Sequence, residues 1–211
     1  MKYKYRFEPL IPYMKGKTLD MCCVGMGTND IIGGCDFLHG HLKRIKNITT
    51  LKGIDINKEG VDLLNNNGFN VIHQDVQEPF KLNEKFTTII CEEGIEHLDN
   101  LKQFLTNVRN HLEPDGKFLL TTPNMEALEI PLSVILFGGV RKNLSHTHYH
   151  TDKSIKYLLE RNGFEVIKIG FHNPYNEGLN GFGLAFDILM KIIPIKRFKK
   201  TIWVVAKCQN Q

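Results

Sequence analysis

Two aspartates and a glycine-containing loop are the residues whose types and spacing best predict chemistry in this chain. Asp20 follows a short apolar run, Gly25 and Gly27 come next, and Asp55 ends a second apolar run. Glycine lets the backbone approach a ligand closely because it has no Cβ atom. A carboxylate after the second strand can accept hydrogen bonds from both hydroxyls of a ribose. The arrangement favours a nucleoside-bearing cofactor at the carboxyl edge of a parallel sheet, although an ordinary tight turn can contain the same glycines.

Strand-like and helix-like segments alternate along the chain, which is typical of a parallel sheet covered by helices. Seven segments have the pattern of strands: 18–23, 48–54, 70–73, 86–91, 117–122, 164–171 and 201–207. Four segments have the pattern of helices: 35–46, 58–66, 101–112 and 154–162. The sequence therefore predicts an α/β fold with a seven-stranded sheet.

Local signals mark the ends of several of these elements. Asn57 and Asp152 are the expected N-caps. Asn-Gly pairs at 67–68 and 162–163 are the expected helix ends, because glycine adopts the left-handed conformation at low cost. The sequence Glu-Pro-Asp-Gly at 113–116 predicts a turn before the fifth strand.

The composition fits one domain in a reducing compartment. A chain of 211 residues can build one α/β domain with a sizeable core, but not two comfortably. The net charge is +4, and the basic residues are scattered except at 196–200, so no basic stripe indicates nucleic acid as a partner. Five cysteines without a Cys-x-x-Cys pattern do not predict a disulfide framework. With no apolar signal core and no run that could span a membrane, we expect a soluble, cytoplasmic domain over residues 1–211.

Two insertions interrupt the alternation. The first, at about 125–150, contains the apolar run 130–137 and follows a strand whose carboxyl end should face the site, which is a suitable position for a lid. The second, at about 173–200, separates the last two strands. Each insertion can simply cover the core. The alternatives are a pocket for an apolar acceptor and, through about 182–200, a helix that rests on a membrane surface with its lysines toward anionic headgroups.

A more specific pattern lies in five ordered segments. They are 19–27 (Leu-Asp-Met-Cys-Cys-Val-Gly-Met-Gly), 53–56 (Gly-Ile-Asp-Ile), 73–76 (His-Gln-Asp-Val), 89–98 (Ile-Ile-Cys-Glu-Glu-Gly-Ile-Glu-His-Leu) and 112–124 (Leu-Glu-Pro-Asp-Gly-Lys-Phe-Leu-Leu-Thr-Thr-Pro-Asn). Further matches at 146–151 and 162–166 extend the pattern to about residue 170. Together the segments resemble the class I S-adenosylmethionine-dependent methyltransferases of the small-molecule type, a group that includes the ubiquinone-pathway O-methyltransferases.

The resemblance implies a Rossmann-like, doubly wound, mostly parallel sheet with an antiparallel last strand and helices on both faces. It implies S-adenosyl-L-methionine as the cofactor. The chain departs from the family pattern in its glycine loop, where Cys22 occupies the place of the first glycine. Gly25 and Gly27 fall one position late, as an inserted residue would cause.

The resemblance also implies a set of cofactor-binding residues. They are Asp20, Cys22, Gly25, Gly27, Asp55, Ile56, Asp75, Val76 and Cys91. Asp20 would lie near the amino group of the cofactor, and Asp55 would bind the ribose hydroxyls. Asp75 would accept a hydrogen bond from the adenine amino group, while Val76 supplies a backbone contact and Ile56 packs on the ring. Asp20 and Asp75 could instead be ordinary turn residues at strand ends.

Methyl transfer to a hydroxyl needs an aligned acceptor and a base that removes its proton. Histidine suits this role at neutral pH. We expect His97 to be the base, with Glu93 to orient it, and His146 to be the second candidate. His97 could instead be hydrogen-bonded at the start of a helix. His146, His148 and His150 alternate as zinc ligands can in an extended segment, but the resemblance requires no metal, and we expect none.

Two other classes of protein share some of these features. An NAD(P)-dependent Rossmann oxidoreductase also has a glycine loop, but its third glycine would fall where this chain has Asp30. A cofactor-binding module without catalysis is the second alternative, and Glu93, His97 and the first insertion argue against it. We expect the methyl acceptor to be a hydroxyl, rather than an amine, of a small molecule, a sugar or a lipid-linked compound.

Overall fold

A seven-stranded sheet forms the centre of the computed structural model, which describes residues 5–24, 37–139, 145–173 and 196–209. The strands are β1 (Gly16–Met21), β2 (Ile48–Asp55), β3 (Val71–His73), β4 (Phe86–Glu92), β5 (Leu112–Pro123), β6 (Phe164–His172) and β7 (Thr201–Cys208). Their spatial order is β3-β2-β1-β4-β5-β7-β6. The first five strands pair in parallel, and β7 is antiparallel to both β5 and β6. The predicted fold, including its antiparallel last strand, is confirmed.

Helices surround this sheet. The α-helices are α1 (Leu38–Leu42), α2 (Lys58–Asn66), α3 (Leu101–His111), α4 (Glu129–Phe137) and α5 (Asp152–Arg161). Short 3₁₀ helices cover Glu8–Tyr13, Ile95–His97 and Lys196–Phe198. The bounds of α2 agree with the prediction, because Asn57 caps it by accepting a hydrogen bond from the Gly60 amide at 3.0 Å. Gly68 and Gly163 have φ angles of +76° and +82°, which confirms the predicted ends of α2 and α5.

Three local predictions are wrong in detail. The described part of α1 ends at Leu42, because the next amides turn more tightly and bond three residues back. Thr151, rather than Asp152, caps α5: its hydroxyl accepts from the Ser154 amide while the Ser154 hydroxyl binds back to the Thr151 amide. Residues 113–116 belong to β5, where the pairing with β4 skips them, so the expected turn is a bulge.

Apolar side chains alternate along the central strands and build a core on each face of the sheet. Ile89 and Phe118 belong to the core under α3 and α5. Their neighbours Ile90 and Leu119 point the other way and pack with the 3₁₀ helix Glu8–Tyr13 and α1. Successive residues of a strand face opposite sides, so strands buried on both faces are continuously apolar. The expectation of helices on both faces is confirmed.

The two predicted insertions are described only in part. The first contains α4, whose Val134, Ile135 and Leu136 side chains are exposed, and residues 140–144 lie outside the described ranges. Most of the second, residues 174–195, also lies outside them, so membrane contact through about 182–200 stays a prediction. Within the described ranges, every helix is too short or too polar to cross a membrane.

Candidate active site

The order of the strands reverses between β1 and β4, which are neighbours at the centre of the sheet. Ligands of open α/β sheets bind in the crevice at such a switch point, beyond the carboxyl ends of the strands. The residue just after each of these strands has an unusual backbone: Cys22 has a φ angle of +62° and Glu93 of +47°. They are the non-glycine residues with positive φ among those described, and such conformations are concentrated at functional sites. The left-handed backbone of Cys22 also explains why glycine suits this place.

Asp55 ends β2 with both carboxylate oxygens held by the backbone. The Val24 amide donates to Oδ2 at 2.9 Å, and the Asn57 amide donates to Oδ1 at 2.8 Å. A carboxylate oxygen has more than one acceptor position, so both oxygens can still accept from a ligand hydroxyl. The orientation of Asp55 is therefore fixed before any ligand binds.

An apolar surface lies beside this carboxylate. Ile56 follows Asp55 directly, and 62% of its surface is exposed. On the neighbouring strand, Asp75 comes two residues after β3 and accepts from the Gln77 amide at 2.8 Å, while Val76 is buried. An exposed apolar side chain, with carboxylates after the ends of two neighbouring strands, fits a nucleoside, whose base has a flat apolar face and a rim that carries hydrogen-bond donors. The residues present thus fit the adenosine part of S-adenosylmethionine.

Asp20 ends up in a contact that the sequence did not reveal. It is buried, and its Oδ2 lies 2.9 Å from Nδ1 of His39 in α1. Burial raises the pKa of Asp20, and the hydrogen bond from His39 partly lowers it. His39 is itself fully buried, and no sequence signal marks it as a partner of Asp20. A role for Asp20 at the amino group of the cofactor stays a prediction, while Gly25 and Gly27 lie outside the described residues.

The two predicted histidines come together beyond β4. The His97 and His146 rings meet edge to face with their centroids 4.7 Å apart. Nδ1 of His97 is 3.1 Å from both the carbonyl oxygen and the hydroxyl of Ser145. A carbonyl oxygen only accepts, so an Nδ1 that carries the proton donates to it, and in that tautomer the lone pair of the ring is on Nε2.

Glu96 is the third member of this cluster, and the sequence analysis missed it. The side-chain atoms of Glu96, His97 and His146 that could ligate a metal all lie within 4.8 Å of one another. The Thr122 hydroxyl donates to Oε2 of Glu96 at 3.2 Å, whereas its buried Oε1 has no hydrogen-bond partner among the described residues. Its position directly before His97 in the sequence was the signal that could have identified it.

The electrostatics of this cluster are unusual. Burial, followed by the negative charge of Glu93, raises the pKa of Glu96 to about 8. Glu93 itself lies with Oε2 3.8 Å from Nε of Arg6, which the N-terminal segment brings to this edge. Ser145, rather than Glu93, supplies the hydrogen bond that fixes the His97 ring. A carboxyl that holds its proton near neutral pH is typical of a functional site.

The segment with alternating histidines does not form the metal site that its spacing allowed. The His146 ring faces His97, whereas the His150 ring is buried 6.3 Å from that of His148. The backbone carbonyl of Glu96 accepts from the amides of Thr147 and His148 at 2.9 and 3.1 Å, which fixes the segment against the site. Within the described ranges, the donor set that could hold a metal is Glu96, His97 and His146. One carboxylate and two imidazoles suit a divalent transition-metal ion.

Comparisons with known proteins agree with this geometry. The family model of a methyltransferase domain matches residues 16–169, so the chain belongs to this family. Its fold and site define it as a class I S-adenosylmethionine-dependent methyltransferase domain, as the sequence predicted. The match favours this class over the alternative of an NAD(P)-dependent Rossmann oxidoreductase.

Curated relatives are similar over part of the chain. A ubiquinone biosynthesis O-methyltransferase of Rickettsia canadensis is 28% identical over 127 residues, which are 57% of this chain and 54% of the relative. The protein of the same name from Rickettsia akari is 30% identical over 128 residues, 57% of this chain and 48% of the relative. The mitochondrial protein of Rattus norvegicus is 26% identical over 100 residues, 44% and 29% of the two chains. The chain spans about half the length of the bacterial relatives.

Solved structures show the same fold at low identity. A SAM-dependent methyltransferase from Archaeoglobus fulgidus has a TM-score of 0.63 and 18% identity, with 96% of this chain and 91% of that chain covered. Magnesium protoporphyrin IX methyltransferase from Synechocystis, solved with bound SAH (S-adenosylhomocysteine), has a TM-score of 0.62 and 14% identity, with 96% and 81% covered.

Proposed function

We propose that this protein transfers a methyl group from S-adenosylmethionine to a hydroxyl of a small-molecule acceptor. The observation that carries the proposal is the cluster of Glu96, His97 and His146 beyond β4. The cluster lies at the same edge of the sheet as Cys22. Asp55 and Ile56 lie at the end of β2, and β1 stands between β2 and β4 in the sheet. Groups able to take a proton thus stand beside a place suited to the cofactor.

For the cofactor, the main task of the protein is to bind it and hold it in position. S-adenosylmethionine, when bound, supplies a methyl group that is already electrophilic. The fixed Asp55 carboxylate would hold the ribose, and Ile56 would pack against the base. Orienting two reactants in this way can contribute about 7–11 kcal/mol to lowering a barrier.

On the acceptor side, His97 is the base in this proposal. Its Nδ1–H donates to the Ser145 carbonyl, which leaves the Nε2 lone pair to receive the proton of the hydroxyl. His146 packs edge-on against the ring and limits its rotation. Glu96, protonated near neutral pH, can donate a hydrogen bond to the acceptor oxygen or share its proton with His97.

The relatives and α4 support a choice of acceptor. The similar Rickettsia and Rattus norvegicus proteins are named O-methyltransferases of ubiquinone biosynthesis, which favours oxygen over nitrogen and makes phenolic hydroxyls the first acceptors to test. The exposed Val134, Ile135 and Leu136 belong to α4, the helix that follows β5 along the chain, and would suit an acceptor with an apolar part.

The test is a transfer assay with radiolabelled S-adenosylmethionine and a panel of catechols, sugars and amines. We expect transfer to a hydroxyl. His97→Ala should lower turnover by about 10²–10⁴-fold and leave the affinity for S-adenosylhomocysteine within a factor of a few. His148→Ala, on the same segment but outside the three-residue cluster, is the matched control and should retain activity. Unchanged turnover in His97→Ala would exclude the residue as the base.

A second role for the cluster has its own observation. Oε1 of Glu96 is buried without a hydrogen-bond partner among the described residues, and a divalent cation held by Glu96, His97 and His146 would satisfy it. Such a cation would acidify a hydroxyl as a Lewis acid, and Nε2 of His97 would then be a ligand rather than a base. Dialysis against EDTA distinguishes the two roles. Loss of activity that added Mn²⁺ or Zn²⁺ restores would support the cation, and unchanged activity would leave His97 as the base.

A further inference from the structure

Two cysteine thiols face each other across the switch point of the sheet. Met21, the last residue of β1, is paired with Cys91 of β4, and Cys22 is the next residue along the chain. A Cβ atom built on Gly94 would lie 2.8 Å from the sulfur of Cys91 and 3.2 Å from the sulfur of Cys22. The two sulfurs therefore border the same small space, with Gly94 leaving it open.

The two thiols differ in access. Cys22, just after β1, is half-buried, whereas Cys91 is fully buried. The hydrogen bond with Cys22, followed by burial, raises the pKa of Cys91 well above its ordinary value. Because Cys22 is the more accessible of the two thiols, an oxidant would meet Cys22 first, with Cys91 as the second thiol next to it.

The remaining described cysteines are placed differently. Cys23 is buried with its sulfur 2.6 Å from the Cβ position of Gly53, on the side of β2. Cys208 is in the last strand, near Arg109 and far along the sheet from the crevice. An accessible thiol beside a second thiol is the arrangement of a cysteine that is oxidised reversibly.

We propose that Cys22 and Cys91 are a redox modification site, at which a peroxide forms a disulfide that closes the cofactor crevice. In the first step the Cys22 sulfur attacks one oxygen of the peroxide, the O–O bond breaks, and a sulfenic acid and water (or an alcohol) form. In the second step the Cys91 sulfur attacks the Cys22 sulfur, and its proton leaves with the hydroxide as water. Two thiols are oxidised by two electrons and the peroxide is reduced by two, and a dithiol reverses the reaction.

The bond would tie the end of β1 to β4 at the place where the methionine part of the cofactor is expected. Its formation depends only on the two sulfurs. Its effect on cofactor binding rests on the proposed function, so the experiment measures the two separately.

The first measurement maps the bond in the full-length protein. The reduced protein is treated with hydrogen peroxide, free thiols are alkylated, and the peptides are identified by mass spectrometry. We expect an intact mass lower by two hydrogens before alkylation, and after digestion a peptide that links Cys22 to Cys91. Cys22→Gly, which suits the positive φ at this position, and Cys91→Ala should both lack the linked peptide. Cys208→Ser is the matched control and should keep it.

The second measurement is titration of the reduced and oxidised proteins with S-adenosylhomocysteine. We expect oxidation to weaken binding at least tenfold, dithiothreitol to restore it, and bound S-adenosylhomocysteine to slow the cross-link. A Cys22–Cys23 bond, sulfinic acid at Cys22 without a linked peptide, or a cross-linked protein with unchanged affinity would each overturn the proposal. Failure of the reduced protein to bind S-adenosylhomocysteine would count against the proposed function instead, and the peptide map would still decide on the disulfide.

Discussion

At the scale of single residues, Asp55 has a structural role and, in the proposed function, a binding role. Its two oxygens accept from the Val24 and Asn57 amides, so the carboxylate fixes the chain after β1 and the start of α2. The residue type predicted Asp55 at the end of a strand, which the structure confirms for β2, while its contact with a ribose stays a prediction. The Val24 partner could not be predicted, because that contact depends on how β1 and β2 lie side by side.

Replacement of this carboxylate tests the ribose contact. In Asp55→Asn an amide NH₂ group must face a backbone amide or the ligand, and the charge is lost. Charge-assisted hydrogen bonds contribute about 1.5–3 kcal/mol, so we expect roughly a 10- to 100-fold rise in the dissociation constant of S-adenosylhomocysteine, measured by calorimetry. Asp62→Asn, on the exposed face of α2, is the control and should bind like the wild type. Equal affinities of the two variants would remove Asp55 from the cofactor site.

Glu96 should make stability depend on pH. Its pKa is about 8 in the folded protein against 4.5 ordinarily, so the folded state binds more protons between these values. The free energy of unfolding then falls as pH rises through this window. Glu96→Gln does not titrate, and in EDTA we expect its Tm to exceed that of the wild type by at least a few degrees at pH 9, since 1 kcal/mol corresponds to about 2–4 °C for a chain of this size. Near pH 4.5 that advantage should vanish.

The control for this measurement is the surface variant Glu160→Gln, whose Tm should follow the wild type at every pH. A constant difference between Glu96→Gln and the wild type across the window would show that Glu96 has an ordinary pKa.

At the scale of elements, the sequence predicted the helix ends and strands that depend on local residue chemistry. Asn57 and Gly68 fixed both ends of α2, and the apolar runs located all seven strands within a few residues. The errors arose where tertiary contacts decide, as at residues 113–116, which are the irregularity between the Leu112 and Lys117 pairings of β5 with β4.

The cap of α5 connects an element to the site, because the segment before it carries His146. Thr151→Ala removes the hydroxyl that accepts from the Ser154 amide. We expect a loss of about 1 kcal/mol in the free energy of unfolding, measured by urea denaturation. Thr106→Ala, in the interior of α3, should change stability by less than about half of that, since alanine is the better helix former. A neutral Thr151→Ala would show that the capping box contributes nothing measurable.

At the scale of the whole molecule, buried histidines should make the fold sensitive to acid. Burial lowers the pKa of both His150 and His172 to about 4, against 6.5 ordinarily. The unfolded chain then binds more protons than the folded one between pH 6.5 and 4, so stability is lost as pH falls through this window.

His150→Gln tests this, because its Tm should decline less steeply than that of the wild type between pH 6.5 and 4. The exposed His73→Gln should decline as the wild type does. Parallel curves for His150→Gln and the wild type would mean that His150 does not oppose unfolding by staying neutral.

The site as a whole was only half predictable. The strand-end acids and the pair His97 and His146 could be proposed from sequence, because each follows a strand or begins a recognisable segment, and their roles stay predictions. Glu96 and His39 were missed, since their roles depend on long-range contacts with His146 and Asp20. Packing of distant segments, rather than any local pattern, creates those two pairs.

The most direct test of the account is a crystal structure of the reduced protein with bound S-adenosylhomocysteine. We expect the ribose on Asp55, the adenine between Ile56 and Asp75, and the sulfur directed toward the space in front of His97 and His146. Density for the ligand elsewhere, or a crevice between β1 and β4 filled by side chains at saturating ligand, would contradict it.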